Sequence, residues 1–380
     1  MPLSIRSNSI VSERSPFLGS DIRLEEQVLV EAFPAKDNSR QAWSVLLGCW
    51  LLELSWGFPI SFGVFQSYYS QHPLFETSNS IPSIGALVLG LPFLLLCITS
   101  PLCLRYSKHL TTIMFSGWIM FNASLLFASI ATDAWQLVLT QGLLYGVGWR
   151  ICYTPVYIIL NEWFEKRRGL AYGIYNAASG ISGFVLPFAL EVLLRNYGFR
   201  ITLRVYVVAY TLLSAPVFWL IRPRLPAHIR TPVQDLHTTS VIERQLPWYS
   251  VLLTPSIIFI STSIFLQGLV FPYPTTFLPS YASTLGLETS KASSLLSISA
   301  LWQVPGLILL GWFSDHVSIH IPHSLPTLVS GLGCLFLWGP AKAFPTLAVF
   351  SSLWGFFGVP YSVFWSRISY GLAKKSGQEK

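Results

Sequence analysis

Between Gln141 and Pro187 an apolar run closes at Asn161, the basic knot Lys166-Arg167-Arg168 follows, and a second apolar run opens at Gly169. About twenty consecutive apolar residues suffice to cross a bilayer. Clustered Lys and Arg between two such runs place the connection on the cytoplasmic side. A chain that folds in water has no use for this alternation, so the feature points to at least two spans joined by an inner loop.

The rest of the chain obeys the same constraint. Charged residues make up 11% of the 380 and hydrophobic residues 52%, against roughly 25% charged in an average soluble domain. Lipid admits only helices and closed barrels as spanning structures, because no water is present to satisfy stray backbone groups. The apolar blocks are about twenty residues long and lack strict alternation, which excludes barrel strands. The expected fold class is an all-α membrane protein. The net charge of +7 is read as loop charge concentrated on one face, not as a nucleic-acid footprint. Cys49, Cys97, Cys103, Cys152 and Cys334 fall inside apolar runs, and their spacing implies neither a metal site nor a disulfide framework.

Residues 1–42 mix Ser, Asn, Arg and Glu without the apolar stretch of a signal peptide, and are expected to form a disordered cytoplasmic tail. Ten apolar spans follow, at about 43–68, 81–104, 111–131, 134–161, 169–194, 200–221, 250–275, 290–313, 324–341 and 344–367. Six form a bundle over 43–221. A linker over 222–248, carrying Pro223, Pro226, Pro232 and several arginines, separates it from a partial bundle over 249–367 and a closing tail over 368–380. With both termini inside, the outer segments hold only Arg195, Arg200, Arg204, Lys291 and Lys342, while the remaining Lys and Arg, apart from Arg150 within the fourth span, lie on inner segments.

Six spans, a basic linker and a second half resemble a two-bundle secondary transporter. The detailed likeness is carried by Trp135-Gln136, Gln141-Gly142, Gly146, Gly148, Pro155, Trp163-Phe164, the run Lys166 to Ala171, Gly173, Ala178, Ser179-Gly180, Gly183 and Pro187. Trp43, Phe58 and Ser61 to Phe65 in the first span add to it, as does Gly311-Trp312-Phe313-Ser314-Asp315. These segments resemble the major facilitator superfamily, and within it the fungal monocarboxylate-porter-like group. The likeness covers most of residues 43–367 and implies a two-bundle fold that works by alternating access.

Three departures qualify it. The superfamily has twelve spans where ten are visible, so the last two are expected to be missing. Arg105 stands where the first-half loop signature carries an Asp. Ile60 and Leu307 stand where monocarboxylate porters place cations. The resemblance further implies that the missing Asp would latch its loop against the eleventh span, so a chain ending at Lys380 is expected to transport poorly.

Ionisable residues at membrane depth are costly and mark candidate sites. Glu53 lies about ten residues into the first span and Arg150 about eleven from the inner end of the fourth, or ~15 Å and ~16 Å deep at 1.5 Å per residue. The two are expected at one depth, as an ion pair or as a shared site for substrate and proton. Arg150 is the better substrate ligand, being permanently charged and fork-shaped. The second half offers Gln267, Tyr273, Trp302, Gln303, Trp354, Tyr361 and Trp365. Of these, Trp302, Gln303 and Tyr361 are taken as substrate-binding, an aromatic wall suited to a flat or lipophilic molecule.

Gly169, Gly173, Gly180 and Gly183 present small faces at helical spacing, and Pro155 and Pro187 permit bends. With Arg105 and Asp315 they form the gating and structural set, for which plain helix packing is the weightier explanation. His316, His320 and His323 beside Asp315 invite a metal reading, but Pro322 and a position between spans make a solvated inner loop the expectation. No cofactor or metal is expected, and nothing resembles a nucleotide fingerprint or a nucleophile elbow.

The leading function is secondary transport of a small organic molecule, with the missing cations favouring efflux of a lipophilic or secondary metabolite. The alternative is proton-coupled uptake of a monocarboxylate or other organic anion. A truncated, non-transporting membrane protein or sensor is the reading from another class. The expected partners are a small-molecule substrate, the lipid bilayer and, for the alternative, a proton; the plasma membrane is the default location. Topology is testable in intact cells with an impermeant thiol reagent. Arg195→Cys should be labelled and Gln234→Cys only after permeabilisation, and equal labelling of both would overturn the orientation.

Overall fold

A computed structural model describes residues 34–75, 78–225, 255–317, 320–364 and 367. Residues 1–33 of the expected N-terminal tail, the closing tail from 368 and most of the linker lie outside these residues. Residues 34–42, expected as disordered tail, instead belong to the fold: helix begins at Arg40, and Asp37 and Ala42 are buried. Among the described residues all regular structure is helical. The elements are α1 (Arg40–Tyr69), α2 (Ile81–Leu94), α3 (Leu96–Arg105), α4 (Ser107–Ala128), α5 (Ala134–Trp163) and α6 (Arg168–Trp219) in the first half. The second half holds α7 (Pro255–Val270), α8 (Pro272–Thr284), α9 (Thr289–His316), α10 (Ile321–Trp338) and α11 (Phe344–Phe364).

Local chemistry sets several of the boundaries. Ser39 caps α1, its hydroxyl accepting from the Ala42 amide at 3.1 Å. Asp133 and Gln136 build a reciprocal capping box at the start of α5. The α2–α3 pair bends by 44° at its break, beside Pro92, whose ring cannot continue the hydrogen-bond ladder. Pro155 and Pro187, expected to permit bends, sit inside helical backbone without interrupting it.

Among the described residues, seven helices are long and apolar enough to cross a membrane, or eight if the bent pair is one span. The count differs from the ten expected spans at two places. The 52 residues of α6 are two helices that meet at Gly198, where φ 73 and ψ 171 suit a residue without a Cβ, so the division expected between 169–194 and 200–221 is present without an intervening loop. On the far side of the linker, the span expected at 250–275 is described only from Pro255 and breaks between α7 and α8.

Glycine decides how close the helices come. A Cβ on Gly117 of α4 would meet the Cys152 backbone nitrogen and lie 2.7 Å from the Gly148 carbonyl, while one on Gly148 would lie 2.7 Å from the Phe121 nitrogen. The backbones of α4 and α5 are therefore in direct contact, as helices without a hydrophobic driving force require. In the second half, Gly306 of α9 meets the Phe356 carbonyl and Gly355 of α11 the Ser299 carbonyl in the same way. Among the described residues three stretches are π-helical, Val138–Leu144 in α5, Cys334–Trp338 in α10 and Trp354–Gly358 in α11.

The close α4–α5 approach yields a direct test. Gly117→Ala should lower stability in detergent by about 1–3 kcal/mol through overpacking, whereas Gly90→Ala, whose added methyl meets nothing within 4 Å, should not. Equal thermal unfolding of the two variants would contradict the packing described.

Candidate functional site

The first polar centre lies where α1 changes from α-helix (Arg40–Glu53) to a 3-10 turn (Leu54–Trp56). Tightening the turn leaves carbonyls without their usual partners, and tyrosines from α5 and α6 answer them. Tyr153 and Tyr210 both donate to the Leu52 carbonyl, the latter at 2.9 Å. Tyr145 donates to the Ser55 carbonyl at 3.3 Å, and the Trp149 indole to the Ser55 hydroxyl at 3.1 Å. This polar collar holds the next side chain, Glu53, inside the bundle at 3% exposure.

Glu53 accepts a hydrogen bond from the Tyr175 hydroxyl at 2.6 Å. Tyr175 meets Tyr157 edge-on, with ring centroids 5.8 Å apart. The Arg150 guanidinium lies over the Tyr157 ring, 5.7 Å from its centroid. The expected ion pair between Glu53 and Arg150 is not formed: no ion pair joins them among the described residues. Two tyrosines are interposed, because equal depth along two helices says nothing about which way around each axis the side chains turn.

Arg150 is 3% exposed and poorly satisfied. Its Nε donates to Thr99 Oγ1 at 3.4 Å, Thr154 donates to the same oxygen at 3.0 Å, and Arg150 Nη2 is buried without a hydrogen-bond partner. A buried guanidinium short of one acceptor is an electrostatic demand for an oxygen-bearing group.

The second-half candidates are more dispersed. Gln303 donates to Ser179 on α6 at 3.1 Å, so its amide joins the two halves. Tyr361 is buried and its hydroxyl lies 3.4 Å from both Ser263 Oγ and His323 Nε2. Trp302 is 44% exposed and meets Phe356 edge-on. Tyr273 is exposed, Gln267 half-buried, Trp354 buried, and Trp365 lies outside the described residues. The histidines depart from the expected inner loop: a helix starts at His320 and carries His323 against Tyr361, with ring centroids 4.9 Å apart. Among the described residues no three His, Cys, Asp or Glu side chains gather as a metal site.

The second centre lies at the basic end of α6. Asp315 of α9 accepts from the Gly169 amide at 2.7 Å and the Leu170 amide at 2.8 Å, capping the N-terminus of α6 from the other half. A Cβ on Gly169 would strike Ser314 and the Gly311 carbonyl, one on Gly173 the Leu307 carbonyl, and one on Gly180 would lie 3.0 Å from Val304. These three glycines line the α6–α9 contact. Gly183 faces Ile60 of α1 at 3.5 Å, ordinary packing within the first half. Arg105 is exposed and has no hydrogen-bond partner among the described residues. The half-to-half latch that is formed is thus the one built on Asp315.

Just before Asp315's amides, Asp37 takes the preceding ones. Its carboxylate accepts from the amides of Glu165 at 3.0 Å, Lys166 at 3.2 Å and Arg167 at 3.0 Å, and its own amide donates to the Trp163 carbonyl at 3.0 Å. Asp37 is 7% exposed and has φ 65, a left-handed backbone that Asp tolerates better than most residues. Lys36 pairs with Glu165 at 2.6 Å, and that hydrogen bond holds the Glu165 carboxyl below its ordinary range. Glu162 accepts from the Arg224 amide at 3.0 Å, and Trp163 donates to the Arg222 carbonyl at 2.8 Å.

The family model described as Major Facilitator Superfamily matches residues 26–377. The chain belongs to the Major Facilitator Superfamily. It is 28% identical over 327 residues to the MFS-type transporter pynF of Aspergillus niger, covering 85% of this chain and 72% of that protein. To the agnestins efflux protein AgnL12 of Paecilomyces divaricatus it is 30% identical over 326 residues, 85% of this chain and 71% of that protein. Monocarboxylate transporter 12 of Xenopus laevis shows 26% identity over 352 residues, with 84% of this chain and 73% of that protein covered. The chain is a multi-pass membrane transporter of small molecules, not an enzyme, and its likeness runs to fungal and monocarboxylate-porter-like members.

Sequence reasoning missed Asp37, Thr99, Tyr157 and Tyr175 in this transporter. An Asp-Asn-Ser run just ahead of an apolar helix was the signal available for Asp37. The tyrosines gave none beyond their abundance. Asp37→Ala should cost about 1–3 kcal/mol in thermal unfolding, because it strips acceptors from three loop amides. Lys36→Ala should cost less than about 1 kcal/mol, its ion pair being part-exposed. The reverse order would show that the loop is held by charge pairing instead.

Proposed function

We propose that this transporter exports a small, lipophilic organic molecule by alternating access, with Arg150 receiving an acidic or strongly polar oxygen of the substrate. The observation that carries the reading is the buried Arg150 Nη2 without an acceptor. In a low-dielectric core, a guanidinium kept short of one hydrogen bond is stabilised when a substrate supplies it. Tyr157 and Tyr175 provide flat surfaces beside it. Trp302, Gln303 and Tyr361 are the second-half contribution, with Gln303 at the junction of the halves.

Efflux of secondary metabolites is supported by the relatives. AgnL12 is named for agnestins, and a protein of Emericella nidulans that is 28% identical over 334 residues is named for aspyridones. A proton drive is supported by Glu53, an acid at membrane depth whose hydrogen-bond partner is a neutral tyrosine rather than a cation. In this reading the Lys166–Arg168 end is cytoplasmic, the membrane is the plasma membrane, and the Asp315 latch closes the cytoplasmic side while the substrate site faces outward.

Arg150→Gln should abolish export while the protein still reaches the membrane, and Arg150→Lys should restore only a small fraction, since a point charge lacks the fork. The check is metabolite profiling inside and outside cells expressing each form. Unchanged export by Arg150→Gln would overturn the assignment.

A further inference from the structure

We propose that the cleft between the Lys166–Arg167 loop and the end of α9 binds the phosphate-bearing head group of an anionic phospholipid. The cleft has a volume of about 440 Å³ and is lined by Lys166, Arg167, Leu170, Trp312, Asp315 and His316. That falls within the roughly 300–1,000 Å³ of small-ligand sites.

Its charge is unbalanced in favour of an anion. Both oxygens of Asp315 are engaged by the Gly169 and Leu170 amides. Asp37 holds Lys166 and Arg167 by their backbone amides alone, so the loop is fixed while both side chains stay exposed and have no partner among the described residues. Two cations are thereby presented at a set position and left for an external phosphate.

The cleft also has an apolar side, which favours a lipid over a dissolved phosphate. Trp312 is 49% exposed at the end of a span and packs on His316 with ring centroids 4.5 Å apart. Tryptophan at a span end sits at head-group level, and Leu170 extends the apolar wall. Basic pockets between helices on the cytoplasmic side take lipid head groups, which are concentrated in the anionic inner leaflet. This sidedness rests on the orientation proposed above. A bound head group touches the loop before α6 and the end of α9 together, so it favours the arrangement in which Asp315 caps α6.

The test uses the full chain in nanodiscs of phosphatidylcholine alone or with a minority of phosphatidylserine or a phosphoinositide, read by native mass spectrometry. The protein should retain the anionic lipid preferentially. Lys166→Gln with Arg167→Gln should weaken retention on the order of thirtyfold, from the two surface charges removed. Trp312→Ala should weaken it as well, and Lys108→Gln, whose residue does not line the cleft, should not. Circular dichroism and gel filtration confirm that each variant folds. Equal retention of neutral and anionic lipid, or undiminished retention by the Lys166/Arg167 double variant, would overturn the proposal. Displacement of the lipid by inorganic phosphate or an inositol phosphate at matching concentration would assign the cleft to a soluble anion and overturn the lipid source. Nanodiscs expose both leaflets, so this result stands apart from the orientation, which the cysteine labelling decides.

Discussion

Five backbone amides between Glu165 and Leu170 are answered by two carboxylates that come from outside the segment, Asp37 ahead of α1 and Asp315 at the end of α9. A helix start is a cluster of unpaired donors and a partial positive charge. Here the same segment also bears Lys166, Arg167 and Arg168, so positive potential accumulates where acceptors are scarce. Placing two acids there neutralises the excess and joins the residues before α1, the first half and the second half at one point. Arg222 and Arg224, where the chain leaves the first half, bind the same neighbourhood through Trp163 and Glu162. Any rearrangement that separates the halves at this end must first release Asp315 from Gly169 and Leu170.

Much of this was legible in the sequence, and the boundary of legibility has a physical explanation. Apolar run length and the basic knot identify spanning helices because lipid enforces both, and the helical spacing of Gly169, Gly173 and Gly180 identifies them as close-approach residues, all three of which line the contact with α9. Asp315 was visible as part of a signature. Its partner was not, because the donors it needs are backbone amides, and backbone carries no sequence label. For Asp37 the Asp-Asn-Ser run signals a helix start, but the three loop amides that it binds are hidden for the same reason. The Glu53–Arg150 pairing failed because sequence gives depth along a helix but not rotation about it, and the α to 3-10 change at Leu54 alters that rotation locally. The division between the spans at 169–194 and 200–221 was legible and falls at Gly198, although no interrupting loop marks it.

The centre at Glu53 differs in kind from the centre at Asp315. At the basic end each carboxylate is satisfied by amides that belong to the fold. Within the membrane, Glu53 has a tyrosine and Arg150 has a threonine with one nitrogen left over. Full satisfaction specifies one arrangement, whereas partial satisfaction leaves free energy to be gained from an arriving molecule. The division fits the proposed reading, in which the joint between halves is complete by itself and the interior is completed by its cargo.

The π-helical stretch Val138–Leu144 ends less than two turns ahead of Arg150 on the same helix. A π turn takes in one residue more than an α turn, and each residue of an α-helix advances the direction of the side chain by about 100°. That surplus residue therefore acts as a phase offset for everything after it on α5. Remove it and the helix keeps its length, its hydropathy and its composition almost unchanged, yet Arg150, Tyr153 and Tyr157 all swing to a different azimuth, toward lipid or a neighbouring helix. The inward aim of the charged residue on which the transport reading depends is thus stored several residues upstream, in an irregularity of winding that no property of Arg150 itself reveals.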